Sequence, residues 1–185
     1  MTAAATVLGL LAFAAFLWAV VLYNRLVGAR NRVLAAWSDI DVQLKRRHDL
    51  VPKLVDAVKQ YAAYERSLLE EVTELRTRGI DAHGVRETGR IEGRMSERVR
   101  AVLALAEAYP ALEANKSFLA LQKELTDVEN NIQYARRYYN GAVRMLNTRV
   151  DSFPDLLVAR TLGFRHAEYF ELDDAGDRRS PELGL

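Results

Sequence analysis

From Ala3 to Tyr23 the chain is a continuous uncharged run, AAATVLGLLAFAAFLWAVVLY, and the first charged side chain is Arg25. As a helix rising ~1.5 Å per residue this run is roughly 31 Å long, close to the hydrocarbon thickness of a bilayer, which predicts a transmembrane anchor over residues 1–24. A cleaved signal peptide would show a basic leading segment and a shorter apolar core, and this run has neither. Trp18 and Tyr23 fall toward the far end, where amphipathic rings favour the headgroup zone, and Arg25, Arg30 and Arg32 follow at once.

Beyond Asn24 the apolar positions recur at helical spacing. Val33, Trp37, Ile40 and Leu44 lie on one face of a first helix, over Leu26 to Arg47. The pattern is expected to break around His48, Asp49 and Pro52, with Asp49 as the cap of a second helix whose seam is Val51, Leu54, Val58, Tyr61, Leu68, Val72 and Leu75. Glu65 occupies a core-phase position in that seam. Residues 79–93 (GIDAHGVRETGRIEG) read as a loop or frayed helix start because of their glycines. Periodicity resumes at Ile91, Met95, Val99, Val102, Leu105 and Tyr109 and stops at Pro110, after which Asn115 or Ser117 is the candidate cap of the next helix. That helix is the most regular, with Phe118, Leu121, Leu125, Val128, Ile132, Ala135, Tyr139, Ala142, Leu146 and Val150 in steps of three and four. Ser152 to Pro154 read as the start of a short helix stopped by Gly163, and Asp173 to Leu185 as a loose tail.

No strand pattern competes, so the expected class is all-α: the transmembrane helix continues into an antiparallel up-down-up-down four-helix bundle with a short C-terminal helix. The expected divisions are an anchor at 1–24, a bundle domain at 25–171 and a flexible tail at 172–185. Twenty-six basic against 25 acidic side chains give a net charge of +1, which argues against nucleic-acid binding by bulk electrostatics. The chain has no cysteine, excluding disulfides, thiolate metal sites and cysteine nucleophiles.

Two stretches, Tyr23 to Glu65 and Leu105 to Phe164, carry in order AWSDIDVQLKRR, DLVP, AEAYP, ARRYYN and SFP. In this combination they closely resemble the LemA family of bacterial membrane proteins. The resemblance implies one N-terminal transmembrane helix and a helical bundle domain, with no established enzymatic activity.

The residues themselves offer little catalytic chemistry. His48, His83 and His166 are far apart, none has a carboxylate at metal-binding helical spacing, and they read as solvated turn histidines. The chain contains no Glu-x-x-His, GxxxxGK, GxGxxG or GxSxG element, so di-iron, phosphate-cradling and serine-hydrolase scaffolds find no support. No cofactor or metal is expected. A polar stripe, Glu129, Gln133, Arg136, Asn140 and Asn147, runs beside the apolar seam of the last helix. It reads either as interhelical hydrogen bonds fixing register, with Glu65 paired to an arginine such as Arg136, or as a binding groove. Lys45, Arg46 and Arg47 read as solvating a distal turn. Arg86, Arg90, Arg94 and Arg98 recur every four residues and form a basic stripe where helical, interleaved with Glu87, Glu92 and Glu97. In antiparallel order that stripe, together with Phe153, Phe164, Tyr169 and Phe170, is expected at the membrane-proximal end, where it reads either as a solvated face paired with those glutamates, with the aromatics capping the core, or as a contact to anionic headgroups.

The reading is a single-pass membrane protein that acts by interaction, as a scaffold for an unidentified membrane or cytoplasmic protein and not as an enzyme. The alternative is a lipid-binding, membrane-organising module. Basic side chains on the C-terminal flank alone place the N-terminus outside and the bundle in the cytoplasm. Ala5-x-x-x-Gly9 and Ala15-x-x-x-Ala19 permit close helix contact in the membrane, which keeps a homo-oligomer open.

Overall fold

The computed structural model describes residues 2–61 and 65–171, and every regular element in them is helical. The elements are α1 (Thr2–Lys59), α2 (Arg66–Ile80), α3 (Val85–Ala106), α4 (Pro110–Glu113), α5 (Lys116–Asp151) and α6 (Asp155–Thr161). The tail expected at 172–185 lies outside the described residues.

The expected break at His48 to Pro52 does not occur: α1 is one helix of 58 residues with Pro52 inside it. A proline here removes the amide that would bond the carbonyl four residues back, that of His48. Arg76 of α2 supplies the missing donor, its Nε lying 2.7 Å from the His48 carbonyl oxygen. The chain turns only after Lys59, so Glu65 does not continue a core seam; it sits half-buried at the N-cap position of α2 and makes no side-chain capping bond. The glycine-rich stretch is mostly helical as well, with α2 reaching Ile80, a short turn, and α3 starting at Val85. Two of its glycines are packing sites: a Cβ on Gly79 would meet the Glu92 carboxylate and the His48 ring, and one on Gly89 would collide with the Glu171 carbonyl. Pro110, expected only as a stop, opens α4, and Asn115 is the cap of α5, its Oδ1 accepting from the amides of Ser117 (2.9 Å) and Phe118 (3.3 Å). α5 and α6 fall where the periodicity places them.

The chain divides into two compact units, residues 1–38 with 137–168, and residues 39–136 with 169–185. In the first, the side chains of α1 from Ala3 to Trp18 are exposed and burial starts at Leu22, continuing through Leu26, Ala29, Val33 and Ala36. Trp37 stacks edge-on against Tyr139 at 5.4 Å, and the segment after α6 is tied to α5. Tyr139 donates to the Glu168 carbonyl (2.9 Å), and the Asn147 amide both donates to the Ala167 carbonyl (3.0 Å) and accepts from its N–H (2.8 Å). In the second unit the core is Ile40, Leu44, Val51, Leu54 and Val58 of α1, Leu69, Val72 and Leu75 of α2, Ile91, Met95, Val99 and Val102 of α3, Leu112 of α4, and Phe118, Leu125, Val128 and Ile132 of α5. Phe170 is fully buried in this unit beside Gly89.

Candidate functional site: a buried charged cluster in the second unit

Arg47 and Glu92 are the most deeply buried charged residues described, at 1% and 0% exposure. Arg47 keeps the core phase of α1: Ile40, Leu44, Arg47, Val51, Leu54 and Val58 are spaced four, three, four, three and four. An unbroken helix therefore drives its guanidinium inward. Glu92 and Ser96 stand one turn apart on the buried face of α3. Arg47 Nη2 pairs with the Glu92 carboxylate and also donates to the Glu92 carbonyl at 3.2 Å. Its Nη1 donates to Ser96 Oγ at 2.6 Å and to Glu129 Oε2 of α5 at 2.9 Å. Ser96 Oγ bonds the same Glu129 oxygen at 3.1 Å, and Gln133 Nε2 holds the other at 3.2 Å. His48 Nε2 lies 2.7 Å from Glu92 Oε1. Three helices thus converge on one arginine, with a fourth bonded to the backbone of His48 through Arg76. Gly79 leaves the space the pair needs.

Burial alone would raise the Glu92 carboxyl, but the hydrogen bond from His48 and the charge of Arg47 outweigh it and hold Glu92 below its ordinary value. The carboxylate is therefore ionised at neutral pH, and His48 Nε2 is the donor. The Arg47 Nε and the Gln43 Oε1 one turn earlier make no hydrogen bond among the described residues. No group of three His, Asp or Glu side chains among the described residues is placed to hold a metal ion. A separate hollow of about 470 Å³ in this unit is lined by Lys53, Tyr61, Leu112, Phe118 and Glu124, and its Asn115 is already engaged in capping α5.

The cluster was not anticipated: Arg47 is no turn-solvating residue and His48 no solvated one, although His83 and His166 are exposed as expected. Of the polar stripe, Glu129 and Gln133 belong to the cluster, while Asn147 holds Ala167 in the first unit. Arg136 and Asn140 are half-buried on α5 and each is engaged in an interaction of its own. Glu65, expected to pair with an arginine such as Arg136, makes no side-chain capping bond at the start of α2. Arg86 and Arg90 are exposed, and Arg86 is engaged. Arg94 and Arg98 reach Glu71 of α2 at 3.5 and 3.0 Å. The turn that carries this stripe meets α1 at His48, in the second unit, whereas Tyr23 and Phe164 touch edge-on at 6.0 Å in the first.

The described elements are all helical, and one of them, near the N-terminus, is long and apolar enough to cross a membrane. The LemA family profile matches residues 36–184, and the chain belongs to the LemA family. Among its relatives, Magnetosome protein MamQ 2 of Paramagnetospirillum magneticum is 26% identical over 198 residues, covering 93% of this chain and 72% of that protein. Magnetosome protein MamQ of Magnetospirillum gryphiswaldense is 24% identical, covering 94% and 73%. Protein LemA of Metamycoplasma hominis is 26% identical over 153 residues, covering 82% and 69%.

Proposed function

We propose that the protein is a single-pass, membrane-anchored interaction scaffold without catalytic chemistry, its N-terminus outside and its helical body in the cytoplasm. The observation that carries this reading is the exposed face of α5: Tyr138 and Met145 are 59% and 45% exposed, with the exposed Gly141 between them on the same side of the helix. Large apolar side chains around a position without a side chain form a flat surface suited to a partner helix. The carboxylates that would otherwise serve acid–base or metal chemistry, Glu92 and Glu129, are committed to Arg47, His48 and Ser96.

In the second unit we read α1 from Asp39, α2, α3 and α5 to Arg136 as an up-down-up-down bundle. The pairing of Glu71 with Arg94 and Arg98, and of Gly79 with Glu92, runs in opposite chain directions and supports this. Exposed Arg25, Arg30 and Arg32 just past the apolar run support the orientation.

The test is a photoreactive amino acid at Tyr138 or Met145 of the full chain in intact membranes, with Leu119 as control. A recurrent protein adduct at 138 and 145, the one at 138 abolished by Met145→Glu and neither seen at 119, supports the scaffold. Adducts to lipid alone favour a membrane-organising module, and none at either site overturns the reading. A reporter fused at Leu185 that is active only outside would reverse the orientation.

A further inference from the structure

α6 and the residues flanking it turn large apolar side chains to the outside while a carboxylate is buried. Its buried residues are Asp155 and Ala159, with Asp155 paired to Arg149 at 3.2 Å, while Leu157 is 55% exposed. The residues flanking it do the same, with Phe153 75% and Leu162 56% exposed. Arg160 and Arg165 are exposed beside them. The arrangement is also tied to the end of the apolar run. Phe164 returns to α6 through its N–H on the Ala159 carbonyl (3.0 Å), and its ring meets Tyr23, the last residue of that run, edge-on at 6.0 Å. Seven helical residues at ~1.5 Å each span only about 10 Å, so the exposed leucines lie close to the residue touching the anchor. Exposed apolar side chains rimmed by cations, continuous with a membrane span, match the chemistry of the acyl–headgroup boundary.

We propose that residues 153–162 form a second, shallow membrane contact beside the anchor. Phe153, Leu157 and Leu162 enter the acyl boundary of the leaflet nearest Tyr23, and Arg160 and Arg165 meet its phosphates. The occupant of this face is lipid, and the basic stripe of α3 takes no part. The inference rests on the anchoring of α1 in the bilayer, so the experiment tests both separately.

Because the chain has no cysteine, single cysteines at Leu10, Leu119, Leu157 and Leu162 of the full chain accept one environment-sensitive fluorophore each. The labelled proteins, checked for helicity by circular dichroism, are placed in phosphatidylcholine–phosphatidylglycerol vesicles with and without bromine on the upper acyl chain. Leu10→Cys, Leu157→Cys and Leu162→Cys are expected to give blue-shifted emission and a quenching constant several times that of Leu119→Cys. Quenching at 10 but water-like emission at 157 and 162 overturns the inference and leaves the anchor standing. Emission at 157 and 162 that is blue-shifted yet unquenched means that protein covers the face, and overturns it too. Absence of quenching at 10 overturns the anchor and the inference together.

Discussion

The two units hold the same helices, α1 and α5, by different means. In the second, a charged arginine is sunk among Glu92, Glu129, Ser96 and His48. In the first, neutral contacts hold α5, Asn147 to Ala167, Tyr139 to Glu168 and the Trp37–Tyr139 rings, and its one part-buried ion pair among those described, Arg149–Asp155, is more open to water than Arg47–Glu92. Charge makes the difference in tolerance. A buried ion pair adds little over well-packed apolar side chains, but losing one member strands the others in a dry interior. A lost neutral amide leaves a smaller debt of desolvation.

The largest effect is expected from Arg47→Met, which leaves Glu92 and Glu129 uncompensated and should lower stability by about 3–5 kcal/mol in chemical denaturation. A loss no greater than that of an exposed site would show the cluster to be hydrated. Acid gives an independent reading. The folded-state pKa of Glu92 is depressed, so its contribution is complete above the ordinary carboxylate value and is lost as pH falls through the lower folded one. The wild type should therefore lose stability steeply below about pH 4.5, a limb that Glu92→Gln flattens. An unchanged acid limb in that variant would assign it elsewhere. Asn147→Ala, the neutral counterpart, is expected to cost about 1–3 kcal/mol, with no added acid sensitivity. Arg76→Ala should cost roughly 1–2 kcal/mol by orphaning the His48 carbonyl, and less in a Pro52→Ala background, where residue 52 regains its N–H. Equal losses in both backgrounds would sever Arg76 from the proline. At the bottom of the scale, Glu65→Ala should stay within about 0.5 kcal/mol, since its side chain makes no capping bond to α2.

The all-helical class, the long apolar helix near the N-terminus and the course of α5 were legible because apolar runs and long helical periodicity depend only on neighbours in sequence. Pro52 was misread for a physical reason: its compensation comes from Arg76 on another helix, and no local pattern reveals it. That error hid the cluster. Once a break is assumed at His48, Arg47 becomes the last residue of a helix; with α1 continuous, it falls between Leu44 and Val51 in the core phase. The signal was present as a charge in an apolar register, which Glu65 only imitated from a seam that the turn after Lys59 interrupts. Glu92 was obscured differently, because a loop was assigned to glycines whose task is close packing. The stripe at Glu129 and Gln133 was visible, but its partner on α1, Arg47, was not.

The spacing of the Arg47 partners along the chain also sets an order of events during synthesis. Glu92 lies 45 residues after Arg47 and Glu129 82 residues after it. At about 5–20 residues per second, the ribosome leaves Arg47 without those carboxylates for several seconds after the apolar leader has emerged. During that interval the guanidinium stays hydrated, because burying it without a partner is costly. Only the emergence of α5 brings Glu129 to Arg47 and Ser96, so a ribosome stalled between Glu92 and Glu129 would display a domain whose cluster is incomplete.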